Sequence, residues 1–205
     1  MSGNNRRGSV LWKGLVFFIP IFFLLGFASK GEAQQPNSPS CNDLLPLVWY
    51  VEKHSRPRQT FPVSLEIGKA LMEASRTSRI PLYLLVAVAQ EESSFNPEAV
   101  NWGTQDYGLF QVHFPFWQKY FKKKQGKSVR NLSPSDLMEI SANTQMASDI
   151  LSYDLTLSKD DFIEMLGRYS GRKGAAEGRY VQHIFQYSLE FQALKKKNAG
   201  ICSKE

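Results

Sequence analysis

The sequence is poor in the residues that hold metals or lace small folds together. Among 205 residues there are two cysteines and three histidines. His54, His113 and His183 are scattered, with no second ligand at metal spacing, so no metal centre is expected. Two cysteines, Cys41 and Cys202, are too few for a disulfide-laced scaffold. The most apolar run, Gly14 to Ala28, is short for a bilayer span of ~20 residues, and Pro20 interrupts it. No internal repeat is visible. No basic stripe with interleaved aromatics appears, which argues against nucleic acid as a partner.

Charge adds little. The formal net charge is +6, but Arg6, Arg7, Lys13 and Lys30 against Glu32 account for half of it. The rest of the chain carries 21 basic and 18 acidic residues, a weak electrostatic signal. The runs Lys122–Lys124 and Lys195–Lys197 read as solvated helix ends.

The N-terminus has the three-part layout of a secretory signal. Basic residues precede the apolar run, and Gly31 and Ala33 form a small-x-small pattern before Gln34. Residues 1–33 are therefore expected to direct export to the periplasm or cell wall and to be cleaved rather than kept as an anchor. No cysteine follows the apolar run, which argues against a lipoprotein. In an exported chain Cys41 and Cys202 are expected to pair. Closing a loop of that size would stabilise by on the order of 4–5 kcal/mol. The competing reading is two unpaired thiols.

Residues 34–41, polar and Pro-containing, read as a linker, and one domain is expected over 42–205. Val63, Ile67, Ala70, Leu71 and Ala74 have helical spacing over 63–77. Pro81 suits the first turn of a helix whose body, Leu82 to Ala89, is apolar on all sides and so buried on every face. Residues 96–111, rich in Asn, Gly and Pro, predict a loop or small β-hairpin. A helix is expected around 114–122. Ser133-Pro134 with Asp136 signals the start of a long helix with a stripe of Leu137, Ile140, Thr144, Ala147 and Leu151. A helix over about 160–167 precedes a last one over 176–195, with Val181, Ile184, Phe185, Ser188 and Phe191 on one face. The fold class is mainly α, a helical globule with one loop or β-hairpin region.

The chemistry concentrates where the apolar helix ends in Glu91 and Glu92. A carboxyl surrounded by apolar side chains has a raised pKa and can hold a proton near neutrality, then give it away. Protonating the leaving oxygen of a glycosidic bond needs such a group. Composition alone favours the plainer reading, a hydrated helix end.

Glu92-Ser93-Ser94-Phe95-Asn96-Pro97 resembles the catalytic block of the soluble lytic transglycosylases, a family with the lysozyme-like fold. Gly108-Leu109-Phe110-Gln111-Val112 resembles its Gly-Leu-Met-Gln-Ile block. Asn143 to Ala147 and Arg168-Tyr169-Ser170-Gly171 match later blocks more loosely. Tyr180, Val181 and Tyr187 match the pattern of the final helix. The likeness spans about 62–190. The loop Asn101-Trp-Gly-Thr-Gln-Asp-Tyr-Gly108 is one residue longer than usual. In this it is similar to the small transglycosylases of secretion, conjugation and pilus machines. Its Asp-Tyr-Gly stretch also resembles animal lysozymes, where the aspartate is a second catalytic carboxylate.

The resemblance implies a lysozyme-like domain with the loop or β-hairpin beside an active-site cleft, acting on peptidoglycan strands as a monomer without cofactor. Glu92 would protonate the bond between N-acetylmuramic acid and N-acetylglucosamine. It would then take a proton from the muramoyl primary hydroxyl as an anhydro ring closes. Tyr169 would hydrogen-bond near Glu92 and orient it. Gln111, Asn101 and the backbone at Phe110 would contact acetamido groups, while Ser93 would support the helix end more than touch substrate. Among Phe95, Trp102, Tyr107, Phe114, Phe116 and Trp117, most are expected in the core and one or two along the groove. Asp106 carries two readings, a loop-shaping residue or a second catalytic carboxylate. Two other functions compete: a hydrolysing muramidase using Glu92 and Asp106, and a non-catalytic cell-wall binding protein.

Overall fold

The structure, a computed structural model, describes residues 40–118 and 133–199. The expected signal at 1–33, Cys202 and the Lys122–Lys124 run lie outside the described residues, as does the end of the helix expected over 114–122. Among the described residues no helix is long and apolar enough to cross a membrane.

The first helix, α1 (Cys41–His54), begins after Ser40, whose hydroxyl accepts from the Asn42 amide. Pro46 stands inside it. The ring removes one backbone donor, yet Leu47, Val48, Tyr50 and Val51 are buried. Helix α2 (Phe61–Thr77) carries proline in its first turn and buries Ile67, Leu71 and Ala74 as the spacing predicts. Helix α3 (Leu82–Ser93) starts after Pro81 and is buried from Leu84 through Gln90. Each buried Leu or Val there contributes roughly 1.5–3 kcal/mol of transfer free energy, and this makes α3 the axis of the fold. Packed around it are α2 and the last helix, α6 (Ala175–Lys197).

After α3 comes a small antiparallel sheet of three two-residue strands: β1 (Val100–Asn101), β2 (Asp106–Tyr107) and β3 (Val112–His113), in order β1-β2-β3. Val100 pairs with Tyr107 and Asn101 with Asp106; Asp106 pairs in turn with His113 and Tyr107 with Val112. Residues 114–118 are helical.

The long helix starts later than Ser133-Pro134 predicts. There, Asp136 accepts from the backbone and hydroxyl of Ser133, closing a 3₁₀ turn over Asp136–Met138. Glu139 is then extended, and α4 runs Ile140–Leu157. Local side-chain bonding has captured the start signal. The expected stripe nonetheless reaches the core, with Leu137, Ile140, Thr144, Ala147 and Leu151 all buried. Helix α5 (Phe162–Ser170) is capped by Asp161, which accepts from the Ile163 and Glu164 amides, and ends at left-handed Gly171. On α6 the buried stripe is Tyr180, Ile184, Ser188 and Phe191. Phe185, expected on that face, is 40% exposed. Lys195, in the last turn, reaches Asp43 of α1 at 2.8 Å.

Candidate active site

The end of α3 is fastened to the sheet region by Ser93. Its hydroxyl donates to the Leu109 carbonyl (2.6 Å) and accepts from the Asn96 amide (3.1 Å). The chain leaves the helix through left-handed Ser94 and Phe95, with φ of 51° and 58°. The Phe95 ring, fully buried edge-on to Tyr50, holds that turn in place.

Because successive helical residues are rotated by ~100°, Glu91 and Glu92 meet different surroundings. Glu91 pairs with Arg172 and His183, each at 3.2 Å. Glu92 enters the cleft, and among the described residues its one hydrogen-bond donor is the Tyr180 hydroxyl, at 2.6 Å. The Arg172 guanidinium lies over the Tyr180 ring, 4.6 Å from its centre.

Burial pushes the Glu92 carboxyl up to about 7. The Tyr180 hydrogen bond and the charge of Arg172 pull it down, while Glu91 and Asp106 push weakly upward. The negative end of the α3 dipole acts upward too. Burial, with the charge of Glu92 next, raises Tyr180 well above its ordinary range, so it is a neutral donor.

The cleft, about 680 Å³, opens on Glu92. One wall comes from the sheet region (Thr104, Asp106, Gln111, His113), the other from α4, α5 and the turn after α5. Asp106 accepts from the Thr104 hydroxyl and pairs with His113 Nδ1 at 2.8 Å. Gln111, itself left-handed at φ 48°, donates its amide to the Ala99 and Gly108 carbonyls, both at 3.0 Å. Among the described residues no donor reaches its carbonyl oxygen.

Asn143 on α4 pins this wall. Its side chain accepts from the Phe110 amide and donates to the Tyr107 and Leu137 carbonyls, at 2.8–2.9 Å. Gly108 is required beside it. At φ 74° a Cβ would lie 2.3 Å from the Leu137 carbonyl oxygen.

Several expected contacts fall elsewhere. Tyr169 is not the residue that holds Glu92; its hydroxyl donates to the Phe110 carbonyl at 2.9 Å, and the ring lines the cleft. Tyr180 has the holding role. The Phe110 amide and carbonyl are both engaged within the protein. Asn101 is exposed on β1 and outside the cleft, its side chain accepting from the Gly103 amide. Ser93 does support the helix end. Of the aromatics, Phe95, Tyr107 and Trp117 are buried, Phe116 and Trp117 line the cleft, and Trp102 stands 78% exposed. The pairing of Tyr180 and Arg172 with the two glutamates was not foreseen. Its sequence trace is faint: Tyr180 opens the buried i, i+4, i+8 stripe of α6.

A mainly helical, lysozyme-like domain with a protonatable glutamate at an open cleft is the class of protein these features define. The family model of the transglycosylase SLT domain matches residues 69–179, more than half of the chain. The chain belongs to that family, whose members are lytic transglycosylases acting on peptidoglycan. No curated protein and no solved structure gave a match, so the assignment rests on the family model. The matched span contains Glu92, Gln111, Asn143 and Tyr169, and Tyr180 follows it directly.

Proposed function

We propose that the chain is a peptidoglycan lytic transglycosylase. It cleaves the bond between N-acetylmuramic acid and N-acetylglucosamine and leaves anhydro-muramoyl ends, with Glu92 as acid and then base. The observation that carries this reading is the Glu92 carboxyl, pushed to about 7 in an open cleft with one protein donor. Near neutrality a large fraction of Glu92 holds its proton and can pass it to the leaving oxygen as the glycosidic bond breaks. Tyr180 and the charge of Arg172 then stabilise the carboxylate. It can take the proton of the primary hydroxyl while that oxygen bonds to the anomeric carbon. The substrate's own acetamido oxygen would support the positive charge in between, so one protein carboxylate suffices.

Hydrolysis is the second reading, favoured by the presence of Asp106 in the same cleft. The second carboxylate of such a hydrolase must stand across the scissile bond and stay ionised, and the hydrogen bonds of Thr104 and His113 to Asp106 fit that role as well as a loop-shaping one. Digestion of cell-wall sacculi with purified protein, followed by mass analysis of the fragments, separates the two. Anhydro ends are expected; reducing ends throughout would replace the proposal with a muramidase.

The proposal also has the chain exported by residues 1–33 to the periplasm or cell wall, with Cys41 bonded to Cys202. It would work there as a monomer on glycan strands, in the service of a secretion, conjugation or pilus machine. Thiol titration of the denatured, unreduced protein should find no free thiol; two would exclude the bond.

A further inference from the structure

We propose that Asp154 is a specificity-determining residue of the cleft, the acceptor for a hydroxyl or acetamido N–H on a sugar ring away from the scissile bond. This rests on the reading of the cleft as a glycan site. Asp154 lies on α4, is only 8% exposed and lines the same cleft as Glu92. Among the described residues no donor reaches its carboxylate. Three other buried polar residues of α4 have protein partners: Asn143 has backbone groups of the opposite wall, Thr144 the Ile140 carbonyl and Ser148 the Gln145 carbonyl, while the Ser152 hydroxyl, like Asp154, has none.

The Asp154 oxygens are not sealed from solvent, so in the free protein water supplies their donors at the floor of a partly apolar cleft, where a ligand can replace it. Asp154 stands between Ile150 and Leu157 on the cleft side of α4, where helical periodicity would accept a leucine. An acceptor without a protein donor at that place in the cleft wall points to a donor supplied from outside the protein. Burial pushes the carboxyl up to about 6, with the charge of Arg168 pulling it down, so near neutrality the charged acceptor form dominates. Burial raises Tyr169 most, and the charges of Glu92, Asp154 and Asp106 add to it, while all four residues line the one cleft.

The surroundings also select the donor. Arg168 and Lys173 offset the charges of Asp106 and Asp154 in the cleft, so no strong net field draws a cationic ligand there. A neutral hydroxyl or amide N–H needs no such field. Ile150 and Leu157, flanking the acceptor, suit the apolar face of a sugar ring.

Binding without turnover tests the proposal, with the hexamer of N-acetylglucosamine as probe and calorimetry as readout. The hexamer should bind the Glu92→Gln protein, and adding Asp154→Leu should weaken binding roughly tenfold, the usual loss for a hydrogen bond to a charged group. Adding Asp154→Asn instead should weaken it less, since a carbonyl acceptor remains. In otherwise unchanged protein, Asp154→Leu should raise KM with little change in kcat. It should also melt no lower than the parent, whereas a purely structural aspartate would lose stability. Equal hexamer affinity with and without Asp154→Leu, or a fall in kcat at constant KM, overturns this assignment alone. If the Glu92→Gln protein fails to bind the hexamer at all, the glycan reading falls and takes this assignment with it.

Discussion

Glu92 and Asp106 reach the same cleft from regions built in opposite ways. The α3 region is apolar packing: seven consecutive residues, Leu84 to Gln90, are buried before the helix delivers its glutamates. The sheet region has strands of two residues each and is held by polar bonds from Ser93, Gln111 and Asn143 to backbone groups. A carboxyl in the first region meets few donors, so desolvation dominates and it keeps its proton to about pH 7. A carboxyl in the second is already engaged by a hydroxyl and an imidazole. Apolar packing makes an acid, and polar packing makes a frame.

The largest test of this contrast is Glu92→Gln, expected to lower glycan cleavage by about a thousandfold or more while the fold persists. The same substitution should stabilise the protein at alkaline pH. A carboxyl raised from 4.5 to about 7 on folding favours the native state fully below the lower value, and that contribution is lost as pH rises through the upper one. Glutamine has no such loss, so above pH 7 the variant should gain on the order of 3 kcal/mol over the parent. Denaturant melts at acid and alkaline pH check the sign; equal stability at both would mean that Glu92 is not desolvated.

Asn143→Ala probes the frame. It strands the Phe110 amide and two carbonyls in a buried setting. A loss of about 2–4 kcal/mol in unfolding free energy is expected. Tyr180→Phe is a smaller change. It removes the donor to Glu92, should lower cleavage about tenfold, and should move the alkaline limb of the pH–rate profile upward, because that hydrogen bond favours the ionised form. A downward shift would contradict the geometry. Asp106→Asn should have the smallest effect, less than about tenfold, with anhydro products retained; a two-carboxylate hydrolase would lose several orders of magnitude. A dead variant releasing reducing ends before mutation would leave a lysozyme.

Much of the frame is legible in the residues. The all-round apolar character of 82–89 predicts a buried helix, and the Asn, Gly and Pro of 96–111 predict the turns of the small sheet. Two features were harder to see. Helix α1 contains Pro46, which reads as a breaker, yet tertiary burial of its neighbours holds the helix together. At Ser133-Pro134 a start signal serves a 3₁₀ turn, because Asp136 bonds Ser133 locally instead of capping the long helix.

Residue type and periodicity determined that α3 is buried, that its end carries two adjacent glutamates, and that a glycine-containing turn follows. The motif singled out the second glutamate. Only the packing of α6 against α3 decided how the two differ physically. Tyr180 stands 88 positions from Glu92 and His183 stands 92 from Glu91. No local pattern encodes which of them meets which glutamate. The rotation of one helix against another sets that choice, and with it the proton that Glu92 can hold.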